Sequence, residues 1–284
     1  MTDMNRFTVV LEATSPIAHG DTLSGVDNST NVRLFMRSAV LYKGQAVRVP
    51  TLSENALRSV IFRRPLHDQL LDALGIGKGT LPQAVLNLLY SGGSMASGAQ
   101  APTNEIELGH RVKDLYPSID LLGGSVNDFI LPRGRLRITC WPLVREYAPM
   151  LRLLYPERVA EAEAVSVYDL LSEEIRTRGT GDESEGNQML YQYEVLAAGA
   201  RFLLEVTLDP WTPAAARSAV GQALASWDSF FGGQSRQGRG RMAVVDAREV
   251  PSALEYGAWL LEHAETMKAG LLDGSLGSGR ALCL

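Results

Sequence analysis

The chain has 284 residues, of which 45% are hydrophobic and 21% are charged, and this composition is typical of a soluble protein with a sizeable core. The formal net charge of −5 argues against a protein that coats nucleic acid indiscriminately, since non-specific binding needs a broad positive field. The N-terminus lacks the pattern of a signal peptide and no apolar run reaches membrane-spanning length, so we expect a cytoplasmic protein with no membrane partner.

Metal and disulfide chemistry have little support in the sequence. Cys140 and Cys283 are too few and too far apart for a zinc cluster or a disulfide framework. The four histidines occur in no ligand spacing such as HExxH. We therefore expect reduced thiols, no metal and no cofactor.

The first part of the chain is typical of strands followed by helices. Segments rich in β-branched and apolar residues predict three strands, the last two joined by a Lys43-Gly44 turn: residues 6–13, 33–42 and 45–51. Ser53 is a suitable N-cap for the helix that follows, and separate short helices are predicted at 66–74 and 81–90. The polar segment 14–31 is long for a connection, and long loops are often functional.

The second part of the chain predicts a helix, a projecting arm and a closing α/β unit. Arg133, Arg135 and Arg137 alternate onto one face of a strand predicted at 133–140. Residues 157–174 predict a helix, and the polar stretch 176–191 predicts a hairpin-like arm. The chain then continues as a strand at 201–208, a helix with Thr212 as N-cap and Pro213 at N1 that ends near Phe230, a strand at 241–247, a helix at 252–272 and a loose tail.

Residues 230–242, here called the Gly-Arg loop, are the most distinctive stretch of the sequence. Glycine allows backbone amides to approach a ligand closely, and the planar fork of arginine fits phosphate oxygens. The lysine and Ser or Thr of a P-loop are absent, so the pattern favours a phosphate-rich ligand other than a hydrolysed nucleotide. A Gly-rich connection is also a common ordinary turn. The loop contains Gly232, Gly233, Arg236, Gly238, Arg239, Gly240 and Arg241.

Basic residues are clustered in three places, whereas acidic residues gather elsewhere. This distribution predicts an acidic protein with one basic groove. The clusters are Arg58, Arg63 and Arg64, then Arg133, Arg135 and Arg137, then Arg236, Arg239 and Arg241. The order strand, helix, strand occurs at 6–64 and again at 201–247, and it favours an α+β fold with a ferredoxin-like sheet.

Five motifs, taken in order, resemble the RAMP superfamily of CRISPR proteins. They are SPIAHG at 15–20, VPTLSENALR at 49–58, GRLRI at 134–138, GARF at 199–202 and GGQSRQGRGRM at 232–242. The chain is most similar to the Cas seven branch, the repeated backbone subunit of effector complexes. Within that branch it resembles the type IV backbone subunit first and type III backbone subunits second. It departs from the branch where Ser53-Glu54-Asn55 replaces the usual glycine-serine.

The resemblance implies a particular organisation and set of partners. It implies an RRM-like palm at 1–64, 133–146 and 201–250, a helical insertion at 65–132, an insertion at 147–200 that carries a β-hairpin thumb, and a C-terminal helix and tail at 251–284. The implied partners are a CRISPR RNA, a target nucleic acid that pairs with the guide, further copies of the chain arranged head to tail, and other CRISPR effector subunits.

The resemblance also implies site residues. The RNA would be held mainly by the Gly-Arg loop and the start of the first helix, with further contacts from the segment after the first strand and from the strand at 133–140. The implied RNA-binding residues are His19, Ser53, Asn55, Arg58, Arg135, Arg137, Gly232, Gly233, Arg236, Gly238, Arg239 and Arg241. The thumb would reach toward the adjacent subunit and carry Arg176, Arg178, Met189 and Leu190. Met189 and Leu190 could wedge between bases or be ordinary hairpin core.

Two enzymatic alternatives stay open from the sequence. In type III relatives an aspartate after the first strand supports cleavage of target RNA, and Asp27 resembles it, although Asp27-Asn28 is also a common turn pair. His19 could act as a general base or bind RNA. The other alternative is a metabolic enzyme with a phosphate-bearing substrate, which would need a compact pocket with a paired acid and base. We expect a binding protein rather than an enzyme.

Overall fold

The computed structural model describes residues 5–20, 32–93, 106–126, 129–179, 188–278 and 282, and for 32–33, 175–179 and 188–191 it describes the backbone alone. The strands are β1 Arg6–Ala13, β2 Val32–Arg33, β3 Arg37–Tyr42, β4 Gln45–Pro50, β5 Ser125–Val126, β6 Phe129–Ile130, β7 Leu136–Pro142, β8 Leu171–Gly179, β9 Gln188–Leu196, β10 Arg201–Leu208 and β11 Met242–Arg248. The α-helices are α1 Glu54–Leu57, α2 Arg64–Ala73, α3 Gln83–Ser91, α4 Ile106–Leu115, α5 Pro117–Leu122, α6 Ala148–Leu154, α7 Val159–Glu163, α8 Ala214–Ser226, α9 Leu254–Glu262 and α10 Ala264–Leu272.

The central sheet has the strand order β11-β1-β10-β7, and each neighbouring pair is antiparallel. Strands β1 and β7 are therefore parallel to each other with β10 between them, and β10 and β11 are parallel with β1 between them. Helix α8 connects β10 to β11. Two interleaved strand-helix-strand units of this kind form a ferredoxin-like sheet, so the predicted α+β fold is confirmed.

Strand β1 occupies the centre of the core because its side chains alternate between two covered faces. Phe7, Val9 and Leu11 are buried on one face, as the apolar alternation predicts. The opposite face carries charged side chains that are paired with each other and with the segment that follows α6. For example, the Arg6 guanidinium contacts the Glu205 carboxylate at 2.9 Å and the Tyr155 hydroxyl at 2.6 Å.

The β3–β4 hairpin has the two-residue turn that the sequence predicts. Tyr42 pairs with Gln45, and the turn residues Lys43 and Gly44 both have positive φ, at 49° and 79°. Positive φ at both central positions is the type I′ geometry that suits the twist of a hairpin. The first strand of the pair starts later than predicted, at Arg37, because residues 32–33 pair with β9 instead.

A single long helical segment follows the hairpin, where the sequence predicted two separate helices. Helix α1 continues through a π-helical segment, Arg58–Arg63, directly into α2. The helix therefore runs across the boundary expected at residue 64. Its start agrees with the prediction, because the Ser53 hydroxyl accepts a hydrogen bond from the Ala56 amide at 3.4 Å.

The predicted arm is a hairpin of β8 and β9, but the helix predicted at 157–174 is wrong. Only Val159–Glu163 is α-helical in that stretch, and β8 already begins at Leu171. Leu171 pairs with Leu196 and Glu174 pairs with Tyr193. Pairing with β9, the next strand in the chain, therefore outweighs the local helical propensity of the glutamates.

The last part of the chain differs from the prediction in four details. Thr212 is not an N-cap, since its hydroxyl donates to the Asp209 carbonyl at 2.6 Å, and α8 ends at Ser226 rather than near Phe230. The closing helix is broken at His263 into α9 and α10. The described part of the tail is packed rather than loose, because Leu276 and Leu282 are buried.

The described residues contain no helix that is long and apolar enough to cross a bilayer. Within the same residues, no group of three or more His, Cys, Asp and Glu side chains is placed to hold a metal ion. Burial raises the pKa of the Cys140 thiol, which favours its protonated form. Cys283 lies outside the described residues.

Candidate nucleic-acid interface

The Gly-Arg loop is held against the end of β1 by backbone hydrogen bonds. The Thr14 amide donates to the Arg241 carbonyl at 2.9 Å, and the Gly240 amide donates to the Pro16 carbonyl at 2.9 Å. At the other end of the loop, the Gly233 amide donates to the Ala18 carbonyl at 2.8 Å. The loop therefore has a defined backbone path across residues 14–18.

Two glycines of the loop are required by contacts inside the protein. Gly240 has φ of 83°, and a Cβ there would lie 2.3 Å from the Phe231 carbonyl oxygen. Gly232 has φ of 84°, and a Cβ there would lie 2.5 Å from the Ala18 carbonyl oxygen. Gly238 also has positive φ, but nothing lies within 4 Å of its Cβ position. Gly232 and Gly233 are exposed, so their backbone is open to a ligand.

Arg239 does not fit its expected role as a phosphate counterion. Its side chain is only 5% exposed. One guanidinium nitrogen donates to the Gln234 amide oxygen at 2.8 Å, and another forms an ion pair with the Glu174 carboxylate of β8. Arg239 therefore joins the Gly-Arg loop to the base of the hairpin arm, which is a structural use of the charge.

Arg236 and Arg241 are the exposed arginines of the loop. The Arg241 guanidinium lies 5.5 Å from the centroid of the Phe230 ring, a distance that suits a cation–π contact. Arg236 lines a cleft of about 770 Å³ between α2 and the end of α8, here called the Arg236 cleft. The cleft also contains the arginine Arg64 and the acidic residues Asp68, Asp72 and Asp228, so its charge is mixed.

His19 lies at the junction between the Gly-Arg loop and the first helix. Its Nε2 accepts a hydrogen bond from the Ser53 amide at 3.2 Å, and its ring packs edge-on against Phe35 and Phe231. Burial lowers the pKa of the imidazole, so the ring is neutral at pH 7 and carries its proton on Nδ1. His19 lines a second cleft, of about 230 Å³, together with Gly232, Gly233 and Gln234.

Gly232 lines both clefts, which makes the exposed part of the loop a continuous surface. The surface extends from Arg236 across Gly232 and Gly233 to His19. The structure thus brings together four of the residues that the sequence predicted for one site. We call the surface formed by His19, Gly232, Gly233 and Arg236 the loop surface.

The start of the helix contributes less charge to this surface than expected. Asn55 is exposed, while Ser53 uses its hydroxyl as a cap. Arg58 is half-buried and donates to the Leu136 carbonyl at 2.9 Å. Burial lowers the pKa of Arg58, and the nearby Arg133 lowers it further. Arg63 is buried, donates to the Leu88 carbonyl at 3.1 Å, and has its pKa lowered to about 10 by burial.

Arg135 and Arg137 are paired with acids rather than presented together on one open strand face. Strand β7 begins at Leu136, so Arg135 precedes it. Arg135 contacts the buried Asp120 carboxylate at 2.6 Å, and Lys113 contacts the same carboxylate at 2.9 Å. Arg137 is exposed but forms an ion pair with Asp209. Both arginines are therefore paired within the protein, and their assignment to RNA stays a prediction.

The base of the hairpin arm is anchored by acids that sequence reasoning did not single out. In addition to the Glu174 ion pair, the Glu194 carboxylate accepts from the Phe35 amide at 2.8 Å and from Arg37 at 2.6 Å. The alternation of charge on β8 and β9 is a weak signal, since it does not indicate a partner. Both strands of the arm are thus connected to the palm.

The backbone of the arm places the proposed thumb residues toward the far end of the hairpin. Arg178 pairs with Met189, and Arg176 pairs with Tyr191, while Leu190 lies opposite Thr177. The side chains of these residues are outside what the structure describes. Asp27 also lies outside the described residues.

Comparison with known proteins finds solved structures of similar fold but no match by sequence. No protein-family model and no curated protein sequence matches the chain. Among solved structures, it is similar to a chain described as "Type IV-B CRISPR Complex", with a TM-score of 0.57 and 21% identity over 85% of this chain and 90% of that chain. It also matches a chain of "Cryo-EM structure of the Type III-B Cmr-beta bound to cognate target RNA", at a TM-score of 0.42, 8% identity, and 86% and 60% coverage.

The first of these similarities defines the class of fold. The chain shares its fold, over most of its length, with a component of a type IV-B CRISPR complex. The resemblance to this group that the five sequence motifs indicate is therefore confirmed at the level of the fold.

Proposed function

We propose that the chain is the guide-RNA-binding backbone subunit of a multi-subunit CRISPR effector complex. The observation that carries the proposal is the fold shared with a chain of a type IV-B CRISPR complex at a TM-score of 0.57. In this role several copies assemble along one CRISPR RNA in the cytoplasm, together with other effector subunits. The guide then pairs with its target nucleic acid.

The loop surface is the part of the chain that we assign to the RNA backbone. Arg236 in the loop surface and Arg241 at the end of the Gly-Arg loop supply two exposed cations, and the exposed backbone of Gly232 and Gly233 allows a phosphate group to approach closely. His19 is neutral, so it contributes hydrogen bonding or stacking rather than charge. Contacts of this kind position RNA without reading its sequence, which leaves the base edges free for pairing.

A net charge of −5 is compatible with this role, because only a small part of each subunit faces the RNA. Two exposed arginines neutralise few phosphates, so one subunit alone binds weakly. Repetition of the same contacts along one RNA raises the overall affinity steeply. Assembly and RNA binding are therefore coupled in this proposal.

The hairpin arm is assigned to contacts between neighbouring copies. Its base is joined to the palm through Glu174 and Glu194, which would hold the arm in a constant direction in every copy. Arg176 and Arg178 would meet RNA phosphates or the next subunit, and Met189 and Leu190 would lie between bases or form the core of the hairpin. Removing residues 180–187 should then shorten assemblies without unfolding the palm.

We assign the chain a binding role and not a catalytic one. A type III-like activity would depend on Asp27, and a single carboxylate without a partner acid or metal contributes little to RNA cleavage. Assembled complexes that carry Asp27→Ala should therefore bind and retain target RNA in the same way as wild type. Cleavage of target RNA by wild type that is lost in Asp27→Ala would replace the binding role with the catalytic one.

The experiment that tests the proposed function is purification from cells that co-express partner subunits and a CRISPR array. The absorbance ratio at about 260 and 280 nm, together with particle size, is measured before and after a high-salt wash. A large particle that contains RNA of uniform length is the expected result. A small protein free of RNA, in the presence of guide and partners, would contradict the proposal and favour an enzyme with a phosphate-bearing substrate.

A further inference from the structure

A second surface differs from the loop surface in composition, because it is apolar and has an acidic rim. It is a groove of about 500 Å³ between the end of α4, the start of α8 and one side of α9. Its apolar lining comprises Pro117, Pro213, Ala214, Ala258 and Trp259. None of its lining residues belongs to the Arg236 cleft or to the cleft beside His19. We call it the α9 groove.

Large exposed hydrophobic side chains extend the α9 groove along its edge. Leu254 and Leu261 are seven residues apart, so they lie on one face of α9, next to the face on which Ala258 lines the groove. Leu254 is 81% exposed and Leu261 is 78% exposed. Trp211, which precedes the groove residue Pro213 by two positions, is 85% exposed. Large exposed apolar side chains close in sequence to an apolar groove are typical of a site of protein interaction.

Three of the five charged side chains that line the α9 groove are exposed acids. Asp114, Glu255 and Glu262 line its rim and are exposed. Among the described residues that line the groove, Lys113 is the one cation, and it is 5% exposed and paired with Asp120 at 2.9 Å. The rim therefore repels phosphate groups and attracts lysine and arginine side chains.

We infer that the α9 groove docks a basic amphipathic helix from a partner protein. Apolar side chains of the partner would fill the space between Pro213 and Trp259, and its lysines or arginines would lie opposite Glu255 and Glu262. Helix α9 has nine residues, so it offers a contact about 13 Å long, enough for two turns of a partner helix. Recognition of an amphipathic helix by an apolar groove with complementary charge is a common mode of protein binding.

A synthetic helical peptide of leucine and lysine, with leucine along one face, provides the first probe. Fluorescence anisotropy of the labelled peptide is measured with purified protein, and a second peptide has glutamate in place of every lysine. The lysine peptide should bind and the glutamate peptide should not, because the acidic rim selects the charge. Equal binding of the two peptides, or no binding of the lysine peptide, would overturn the inference.

Variants of the groove locate the contact. Glu255→Lys and Glu262→Lys should each lower the affinity for the lysine peptide about fivefold. Ala258→Arg should abolish binding of this peptide, because the larger side chain fills the groove. Glu157→Lys makes the same change of charge on an exposed residue after α6, outside the groove, and is the matched control that should leave binding unchanged. An equal loss with Glu157→Lys would show attraction to net charge alone, which would contradict a docking site.

Two further measurements distinguish loss of a docking site from misfolding and from self-association. Thermal unfolding followed by circular dichroism should show no loss of stability in the Glu262→Lys variant, since Glu262 is exposed and lies in the last turn of α9, where a cation is favourable. Size-exclusion chromatography tests whether a second copy of the chain occupies the groove. Wild type that self-associates and becomes monomeric in Ala258→Arg, without binding the peptide, would assign the groove to self-association instead. The peptide test requires no RNA, so its failure would leave the proposed function unaffected.

Discussion

The Gly-Arg loop and the segment that leads into β7 each contain three arginines, yet the structure uses their charges differently. In the β7 segment, Arg135 is paired with Asp120 and Arg137 with Asp209. In the Gly-Arg loop, Arg239 alone is buried and paired, while Arg236 and Arg241 are exposed. A cluster of arginines therefore does not by itself predict a basic surface, because acids from other segments can neutralise it.

The glycines of the two segments, in contrast, are used in the same way. A Cβ at Gly134 would lie 2.6 Å from the Leu122 carbonyl oxygen, just as a Cβ at Gly240 would lie 2.3 Å from the Phe231 carbonyl oxygen. Both glycines permit close packing of the backbone. The difference between the segments thus lies in charge pairing, and the following changes test it.

The largest expected effect concerns the backbone of the Gly-Arg loop. Gly240→Ala should lower the free energy of unfolding by about 3 kcal/mol, because it combines positive φ with a steric clash. Gly238→Ala is the matched control, because Gly238 has positive φ but no atom lies near its Cβ position. This substitution should lower the free energy of unfolding by about 1 kcal/mol. Urea unfolding measures both. Equal costs would show that the close contact at Gly240 is not important for stability.

The next effect separates structural arginines from RNA-binding ones. Arg239→Ala should lower the free energy of unfolding by about 2 kcal/mol, because it removes the ion pair with Glu174 and the hydrogen bond to Gln234. Arg135→Ala should cost about 1 kcal/mol, because Asp120 keeps Lys113 as a partner. Urea unfolding is again the measurement. Unchanged stability in Arg239→Ala, together with lost RNA, would restore Arg239 as a phosphate ligand.

The exposed arginines should affect RNA and leave stability unchanged. Arg236→Ala and Arg241→Ala should each weaken RNA retention several-fold and reduce the slope of log affinity against log salt by about 1. Arg137→Ala removes a charge that is already paired with Asp209 and should change neither quantity. Filter binding of assembled complexes over a range of salt concentrations measures the slopes. Equal effects of all three substitutions would remove the distinction between the two segments.

The smallest effect is a dependence of stability on pH, to which His19 beside the Gly-Arg loop contributes together with the buried His67, whose pKa is also lowered by burial. Burial lowers the pKa of His19 in the folded state, so below the ordinary value of about 6.5 the unfolded chain binds a proton more readily. The free energy of unfolding should therefore be highest at neutral pH and fall as the pH decreases below about 6.5.

An NMR titration of the His19 ring measures this pKa directly. His19→Gln keeps an acceptor for the Ser53 amide but does not titrate, so its stability should depend less on pH than that of wild type. A His19 pKa at or above about 6.5 would contradict a buried, neutral ring.

Much of the fold could be predicted from the sequence, because the signals for its main elements are local. The alternation of β1 and β10, the Lys43-Gly44 turn and the Ser53 cap each depend on a few neighbouring residues. The prediction of a helix at 157–174 is wrong because pairing with β9 stabilises β8 as a strand. Local helix propensity carries no information about this pairing.

The candidate site was predictable in its backbone but not in its charges. Glycine spacing indicates a tight loop, since the requirement for positive φ belongs to the glycine itself. The partners of the arginines are separated from them by 65 residues for Arg239 and Glu174 and by 72 for Arg137 and Asp209. No pattern in a single sequence identifies such pairs, so the number of free cations could be read only from the structure.

The paired charges on the outer face of the central sheet limit what this fold can recognise. RRM proteins stack bases on the open face of a similar sheet. Here that face is occupied, since Arg6 contacts Tyr155 and Glu205, and Arg201 bridges Glu12 and Glu161. That face therefore presents paired, partly exposed charges instead of a flat surface on which bases can stack. RNA bound at the loop surface, as proposed, would lie beside the end of β1 and be held by contacts that do not read its sequence.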